Sequence, residues 1–155
     1  MKSFRFRPEA LLEISRRRRD ALQAALGLAQ RTLAEAETEL HRRTAQRDEA
    51  LRAYRDAVDI DPGFETHERH RNWIARLRVG IAGQESVVEA RRAEVMAAAE
   101  RLRVAHQEVR VLERLKEHQR RRYDDAVRKE ELKEMDQIAS LRYARQLMEG
   151  QQHGH

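Results

Sequence analysis

The sequence predicts an all-α fold, a two-helix antiparallel coiled-coil hairpin with a longer C-terminal helix. Charged residues make up 38% of the 155-residue chain and aromatic residues only 5%, and an excess of Ala, Arg, Glu and Leu is typical of long helices. Aliphatic residues recur at every seventh position in the second half of the chain, which is the coiled-coil spacing. The only convincing turn lies near residue 62. These observations predict a single helical hairpin over residues 1–155.

The first helix is predicted over residues 8–59. Pro8 is followed by Glu9, and a proline followed by an acid suits the first turn of a helix. Apolar or small residues then recur in steps of mostly three and four, with an interruption at Arg47. This stripe consists of Leu22, Leu26, Ala29, Leu33, Ala36, Leu40, Thr44, Leu51, Tyr54 and Val58. Its helical period predicts one buried face.

The turn is predicted at residues 60–63, where Asp61 precedes Pro62 and Gly63. Asp61 can cap a helix that starts at Pro62, and Thr66 can cap a slightly later start. The second helix is predicted over residues 64–148, because Gly150 is a plausible stop signal. The tail at 149–155 is expected to fray.

The second helix carries the most regular seam. One position holds an aliphatic residue six times in succession: Ile74, Ile81, Val88, Val95, Leu102 and Val109. The companion position, three residues on, is often alanine or polar, so the seam is predicted to be thin. Acids stand four residues before bases at Glu39–Arg43, Glu65–Arg69 and Glu117–Arg121, among other pairs. Such pairs support exposed helix faces.

A short turn makes the helices antiparallel, and counting outward from it predicts their register. Leu33 is expected near Arg91, and Leu11 near Leu112. The first helix is then used up at about residue 115, and the second continues for roughly 30 residues, or about 45 Å. A single helix of this kind is marginal in water, so we expect it to be bound, paired or frayed.

Enzymatic activity is not expected. The chain has no cysteine, which excludes thiol catalysis and disulfides. It has no glycine-rich phosphate loop, and a two-helix rod offers no enclosed pocket. His67 and His70 lie three residues apart, but they have no obvious third ligand, so they are interpreted as polar seam positions. His153 and His155 could bind metal adventitiously. We therefore predict no cofactor and no metal.

The chain also lacks membrane and targeting signals. It has no run of 18 apolar residues and no signal-peptide pattern, so the cytoplasm is the expected compartment. The formal net charge is +5, from 32 Lys and Arg against 27 Asp and Glu. A net charge of this size is weak evidence for nucleic-acid or membrane binding.

Two arginine runs and three aromatic residues are candidate partner-binding residues. The runs are Arg16, Arg17, Arg18 and Arg19, and Arg120, Arg121 and Arg122; the aromatic residues are Tyr54, Phe64 and Trp73. The runs either contact an acidic surface or a phosphate backbone, or are simply exposed to water without a binding role. Trp73 either covers the edge of the seam or forms an exposed anchor together with Phe64, since aromatic residues are frequent hot spots.

The two ends of the chain carry a family resemblance. The opening Phe4-Arg5-Phe6 followed by Leu11-Leu12 resembles the start of the FliJ family of the flagellar type III export apparatus. The end is also similar, and its segments are Val111-Leu112-Glu113-Arg114-Leu115-Lys116-Glu117 and Glu134-Met135-Asp136-Gln137-Ile138-Ala139 with Arg142. Met135 and Gln137 stand where the family tends to have Leu and an acid.

The resemblance implies a non-enzymatic coiled coil similar to the γ central stalk of rotary ATPases. Its implied partners are the hexameric export ATPase, the FlhA component of the export gate and export chaperones, at the cytoplasmic face of the inner membrane. By the same analogy, the end with both termini would enter the ATPase ring, and the turn would face the gate. The first end carries Phe4, Phe6, Arg16–Arg19, Asp136 and Arg142; the second carries Tyr54, Phe64 and Trp73.

Three alternatives stay open. A basic helical hairpin could bind nucleic acid or another anionic surface, and its binding would then collapse at moderate salt. A generic spacer could merely separate two partners. An injectisome counterpart of FliJ would have the same architecture.

Overall fold

The computed structural model describes residues 3–152 and contains two long helices, α1 (Glu9–Ile60) and α2 (Phe64–Gln152), with no strand among these residues. The helices pack antiparallel, so the predicted all-α hairpin with a longer C-terminal helix is confirmed. The chain divides into two compact units. We call Ser15–Gln107 the turn unit, and the described parts of residues 1–14 and 108–155 the clamp unit.

The turn is held by a single carboxylate. Asp61 accepts a hydrogen bond from the Gly63 N–H at 3.1 Å and one from the Thr66 hydroxyl at 2.9 Å. The bond from Thr66, and then the one from Gly63, lower the pKa of Asp61. Because α2 begins at Phe64, Asp61 organises the turn and does not cap a helix starting at Pro62. Thr66 lies buried inside the first turn of α2, where it donates to Asp61.

The C-terminal end of α2 lies at Gln152, whereas the sequence predicted an end near residue 148. Gly150 does not stop the helix, because none of the glycines in the described residues has the positive φ of a left-handed cap. His153 and His155, the proposed adventitious metal ligands, lie outside the described residues.

The turn unit has a thin seam, as its composition indicated. Ile74, Ile81 and Val88 are buried, as the seven-residue spacing predicts. Farther along α2 the most buried positions move to Ala98 and Ala105, three residues after the aliphatic series. Val95 and Leu102 of the aliphatic series are only partly buried there, so both seam positions of α2 contribute buried residues.

Two polar side chains in this seam donate hydrogen bonds to backbone carbonyls of the facing helix. The Gln84 amide donates to the Ala36 carbonyl at 3.0 Å, and the Arg43 guanidinium donates to the Gly80 carbonyl at 3.0 Å. These pairings agree with the predicted antiparallel register to within about one helical turn. These hydrogen bonds favour one register of the two helices. If one helix shifted along the other, the donor groups would lose their carbonyl partners, which costs free energy.

The clamp unit contains a small apolar core. Leu12 and Val109 are almost completely buried, at 0% and 2% exposed, and Phe6 joins them, with Phe4 and Leu112 packed alongside. Leu12 therefore packs near Leu112, close to the expected pairing of Leu11 with Leu112, whereas Leu11 itself is 53% exposed. Neighbouring helical residues point about 100° apart, so only one of the two leucines can face α2.

The exposed part of α2 begins later than predicted. Every residue from 128 to 152 is exposed, and we call this segment the overhang. The prediction placed its start near residue 116, but the non-helical residues before α1 reach along α2 as far as Tyr123. A non-helical residue advances by up to about 3.3 Å and a helical residue by about 1.5 Å, so a short segment covers a long stretch of helix.

Candidate functional site

Within the clamp unit, the N-terminal residues pack against α2. The Phe4 ring lies 5.7 Å from the Tyr123 ring, and the Arg120 guanidinium lies 5.0 Å from the Phe4 centroid, in a cation–π geometry. The ammonium of Lys116 forms a 2.8 Å ion pair with Glu9. Phe4 is partly buried and Phe6 is buried. Both predicted partner-binding phenylalanines are therefore engaged within the chain.

The arginine run on α2 splits into different roles. Arg120 interacts both with the Phe4 ring and with the carboxylate of Asp124, which lies 3.6 Å away. Arg121 pairs with Glu117 at 2.6 Å, which is one of the predicted four-residue pairs. Arg122 is exposed. The run therefore does not form one continuous basic face.

The overhang carries large apolar side chains that are at least half exposed: Leu132, Met135, Ile138, Leu141, Tyr143, Leu147 and Met148. At about 100° per residue they are spread around most of the helix circumference rather than along one stripe. The segment has five basic and five acidic residues, so it has no net charge. Asp136 and Arg142, both predicted partner-binding residues, lie exposed among the apolar ones.

The arginine run on α1 belongs to the turn unit. Arg19 pairs with the adjacent Asp20 at 3.1 Å, and Arg16 is half-buried. Arg17 and Arg18 are exposed. Consecutive helical residues point in different directions, so only part of this run is presented to a partner in any one direction.

Tyr54 lies in the seam beside two histidines. Its hydroxyl lies 2.6 Å from Nδ1 of His67, and its ring lies 5.6 Å from the rings of both His67 and His70. Tyr54 therefore covers the seam and is not an exposed anchor. No group of three or more potential metal-ligating residues occurs within residues 3–152.

Phe64 and Trp73 are the exposed aromatic residues near the turn, at 72% and 45% exposed. Trp73 lies in a shallow depression with Glu65, Glu68, Arg69, Asn72 and Arg76, whereas Phe64 lines a neighbouring depression with Arg71 and Arg78. None of these four arginines is among the predicted partner-binding residues. The available signal was the absence of any acidic residue between Glu68 and Glu85.

None of the helices in residues 3–152 is long and apolar enough to span a membrane. This finding concerns helical segments alone.

Comparisons with known proteins identify the family. A comparison with curated protein sequences finds no match. A solved structure described as a YscO homolog, CT670, from Chlamydia trachomatis is similar at 22% identity and a TM-score of 0.46, and the match covers 90% of this chain and 94% of that one. The family model of the flagellar FliJ protein matches residues 4–148. On this match over nearly its whole length, the chain belongs to the FliJ family and is a component of a type III export apparatus.

Proposed function

We propose that this protein couples the hexameric flagellar export ATPase to the export gate, without catalysing a reaction itself. The overhang enters the ATPase ring, and the turn region, residues 54–79, engages the FlhA component of the gate. Export chaperones bind the same protein. It acts at the cytoplasmic face of the inner membrane, held there by its partners.

The observation that carries the proposal is the distribution of apolar residues around the overhang. A surface helix normally has one apolar face, whereas a helix that is apolar on most sides is buried on most sides. Seven large apolar residues are exposed between Leu132 and Met148. A surrounding ring of subunits would contact a helix from several directions and would bury all of them. Asp136 and Arg142 would then make polar contacts within the ring.

The charge of the overhang also favours a protein partner. Proteins that bind nucleic acid through the phosphate backbone present a basic surface, but basic and acidic residues balance in residues 128–152. Ordering of a marginal helix on docking lowers its affinity, and this suits a component that exchanges between partners.

The turn region supplies the second binding surface of the proposal. Phe64 and Trp73 expose large aromatic surfaces, and aromatic residues are enriched among binding hot spots. Arg17 and Arg18, exposed on α1, and Arg122, exposed on α2, are proposed to contact acidic surfaces of the ATPase or of chaperones.

A truncation tests the proposal. A chain ending at residue 127 retains every half-buried residue of the clamp unit and should unfold at nearly the same temperature as the full chain. It should lose binding to the purified export ATPase hexamer and any stimulation of ATP hydrolysis, while it keeps binding to the cytoplasmic part of FlhA. A full-length Phe64→Ala, Trp73→Ala variant is the reciprocal control and should lose FlhA only.

The opposite pattern would refute the assignment of the two ends. Undiminished ATPase binding by the truncated chain would show that the overhang is not the ring-docking element. Failure of the full chain to bind either component would overturn the coupling function itself.

A further inference from the structure

We infer that Arg69, Trp73 and Arg76 form a docking face for an acidic segment of a protein. The three residues share one side of α2, at spacings of four and three, and line the same shallow depression. Trp73, which lies between the two arginines along the helix, is 45% exposed. This inference holds whichever export component supplies the segment.

The arginines of this face form no ion pair with the glutamates that line the same depression. From Arg69 to Gln84 the chain has four arginines and no acidic residue. Within residues 3–152, Arg69 and Arg76 form no ion pair, and the predicted Glu65–Arg69 pair is not formed. Arg69 acts at longer range to help lower the pKa of Asp61, after the larger contributions of the two hydrogen bonds to that carboxylate. Arg43, by contrast, is held by Glu39 and the Gly80 carbonyl.

The chemistry of the depression favours carboxylates on a protein over a polyphosphate. The guanidinium fork binds carboxylate and phosphate equally well in geometry, so the surroundings decide. Glu65 and Glu68 line the same depression and would repel a continuous phosphate backbone. A protein segment can place one carboxylate on each arginine, an apolar side chain on Trp73 and a donor toward the glutamates.

A second pair of arginines provides a matched control. Arg71 and Arg78 lie on nearly the opposite side of α2, at about 100° per residue, and line the neighbouring depression with Phe64. Reversing either pair to glutamate changes the net charge by the same amount. Only the loss of a local site can therefore distinguish the two double variants.

Trp73 is the only tryptophan in the chain, so its fluorescence reports occupancy of this face directly. The probe is a tryptophan-free synthetic peptide of about 20 residues with Glu and Leu in helical spacing, and its control peptide has Gln in place of Glu. The acidic peptide should shift Trp73 emission to the blue in a saturable manner, whereas the control peptide should not. Moderate salt should weaken the binding, because charge pairs at a surface are screened.

The variant Arg69→Glu, Arg76→Glu should bind the peptide about 30-fold more weakly, the effect of losing hot-spot contacts. The variant Arg71→Glu, Arg78→Glu should change the affinity less than about threefold. Arg76→Glu alone should lose about tenfold; it avoids the influence of Arg69 on Asp61, so the test survives even if the double variant perturbs the turn.

Three results would overturn the inference. One is an equal loss in both double variants, which would show that only net charge matters. Another is the absence of any fluorescence change with the acidic peptide. The third is a Trp73 shift produced only by an oligonucleotide, or only by vesicles of phosphatidylcholine and phosphatidylserine, because the face would then recognise phosphate.

Discussion

The clamp unit and the turn unit bury their residues in different ways. In the clamp unit, Leu12 and Val109 have almost no exposed surface, and Phe6 closes over them. In the turn unit the buried positions on α1 are alanines, Ala36 and Ala50, and a glutamine is among the buried positions on α2. One unit depends on a compact apolar cluster, and the other on a long contact with little apolar volume.

The difference indicates where stability and specificity reside. Burying a large aliphatic side chain stabilises a fold by about 1.5–3 kcal/mol, whereas alanine contributes much less. The polar bonds of Gln84 and Arg43 add little net free energy, but a slipped register would break them. We expect the apolar cluster to be the more sensitive to truncation of side chains, and the seam to be more sensitive to changes in register.

The largest effect is expected for Leu12→Ala. Its side chain is completely buried, so the variant should lose about 2–5 kcal/mol of unfolding free energy. Urea unfolding followed by circular dichroism measures the loss. Leu11→Ala is the matched control, because Leu11 is exposed, and it should change stability by less than about 0.5 kcal/mol. Equal losses in the two variants would contradict the orientation of α1 in the clamp unit.

Gln84→Ala tests the polar seam of the turn unit. The variant removes the hydrogen bond to the Ala36 carbonyl and should cost about 1 kcal/mol, less than the change in the clamp unit. Gln107→Ala is the control, since Gln107 is exposed on the same helix. If both variants have the same unfolding midpoint, the bond from Gln84 does not contribute to stability.

Gly83→Ala should stabilise the turn unit by about 1 kcal/mol, because alanine favours a helix interior over glycine. A Cβ at Gly83 meets no atom within 4 Å. At Gly80 the added Cβ would lie 3.1 Å from Nη1 of Arg43, so Gly80→Ala should gain less, since the Arg43 bond must shift. Thermal unfolding compares the two variants, and equal gains would show that this bond is unimportant.

The smallest effect is expected at Glu39. Hydrogen bonds from Arg42 and then Arg43 lower the pKa of Glu39 from its usual 4.5 to about 2. Because the pKa is lower in the folded state, the contribution of Glu39 to stability is fully present above about pH 4.5 and is lost as the pH falls toward 2.

The stability difference between the wild-type protein and Glu39→Gln should therefore shrink over this acidic range. Glu35→Gln, at an exposed position one turn earlier, controls for the change in net charge. An NMR titration of Glu39 with its midpoint at the usual value would contradict the prediction.

Periodicity was sufficient to predict the hairpin and much of the seam, because one buried face of a long helix imposes a repeat that tertiary context hardly alters. Periodicity could not decide whether Leu11 or Leu12 is buried. Both residues are leucine, and which of them faces α2 depends on how α1 is rotated about its own axis. Periodicity also could not anticipate that Gln84 and Arg43 would bond to carbonyls of the facing helix, because a carbonyl has no sequence signature.

The candidate site was predicted less completely. Phe64 and Trp73 are exposed near the turn, where the sequence left open whether aromatic residues cover the seam or form an anchor. Phe4 and Phe6, which were selected through the family resemblance, pack within the chain, and so does Tyr54, which was selected as an aromatic residue near the turn. An aromatic side chain is equally suited to a core and to an interface, so its type alone does not reveal which it occupies.

By itself, the sequence determined that this chain forms two long helices joined by one tight turn, and that its family is FliJ. Local propensity, the turn residues and a sustained seven-residue repeat all act along the chain and need no distant contact. The tertiary structure decided which leucine is buried, how far the N-terminal residues extend along α2, and which arginines stay unpaired. Each of these depends on side chains that lie far apart in sequence and meet only when the hairpin closes.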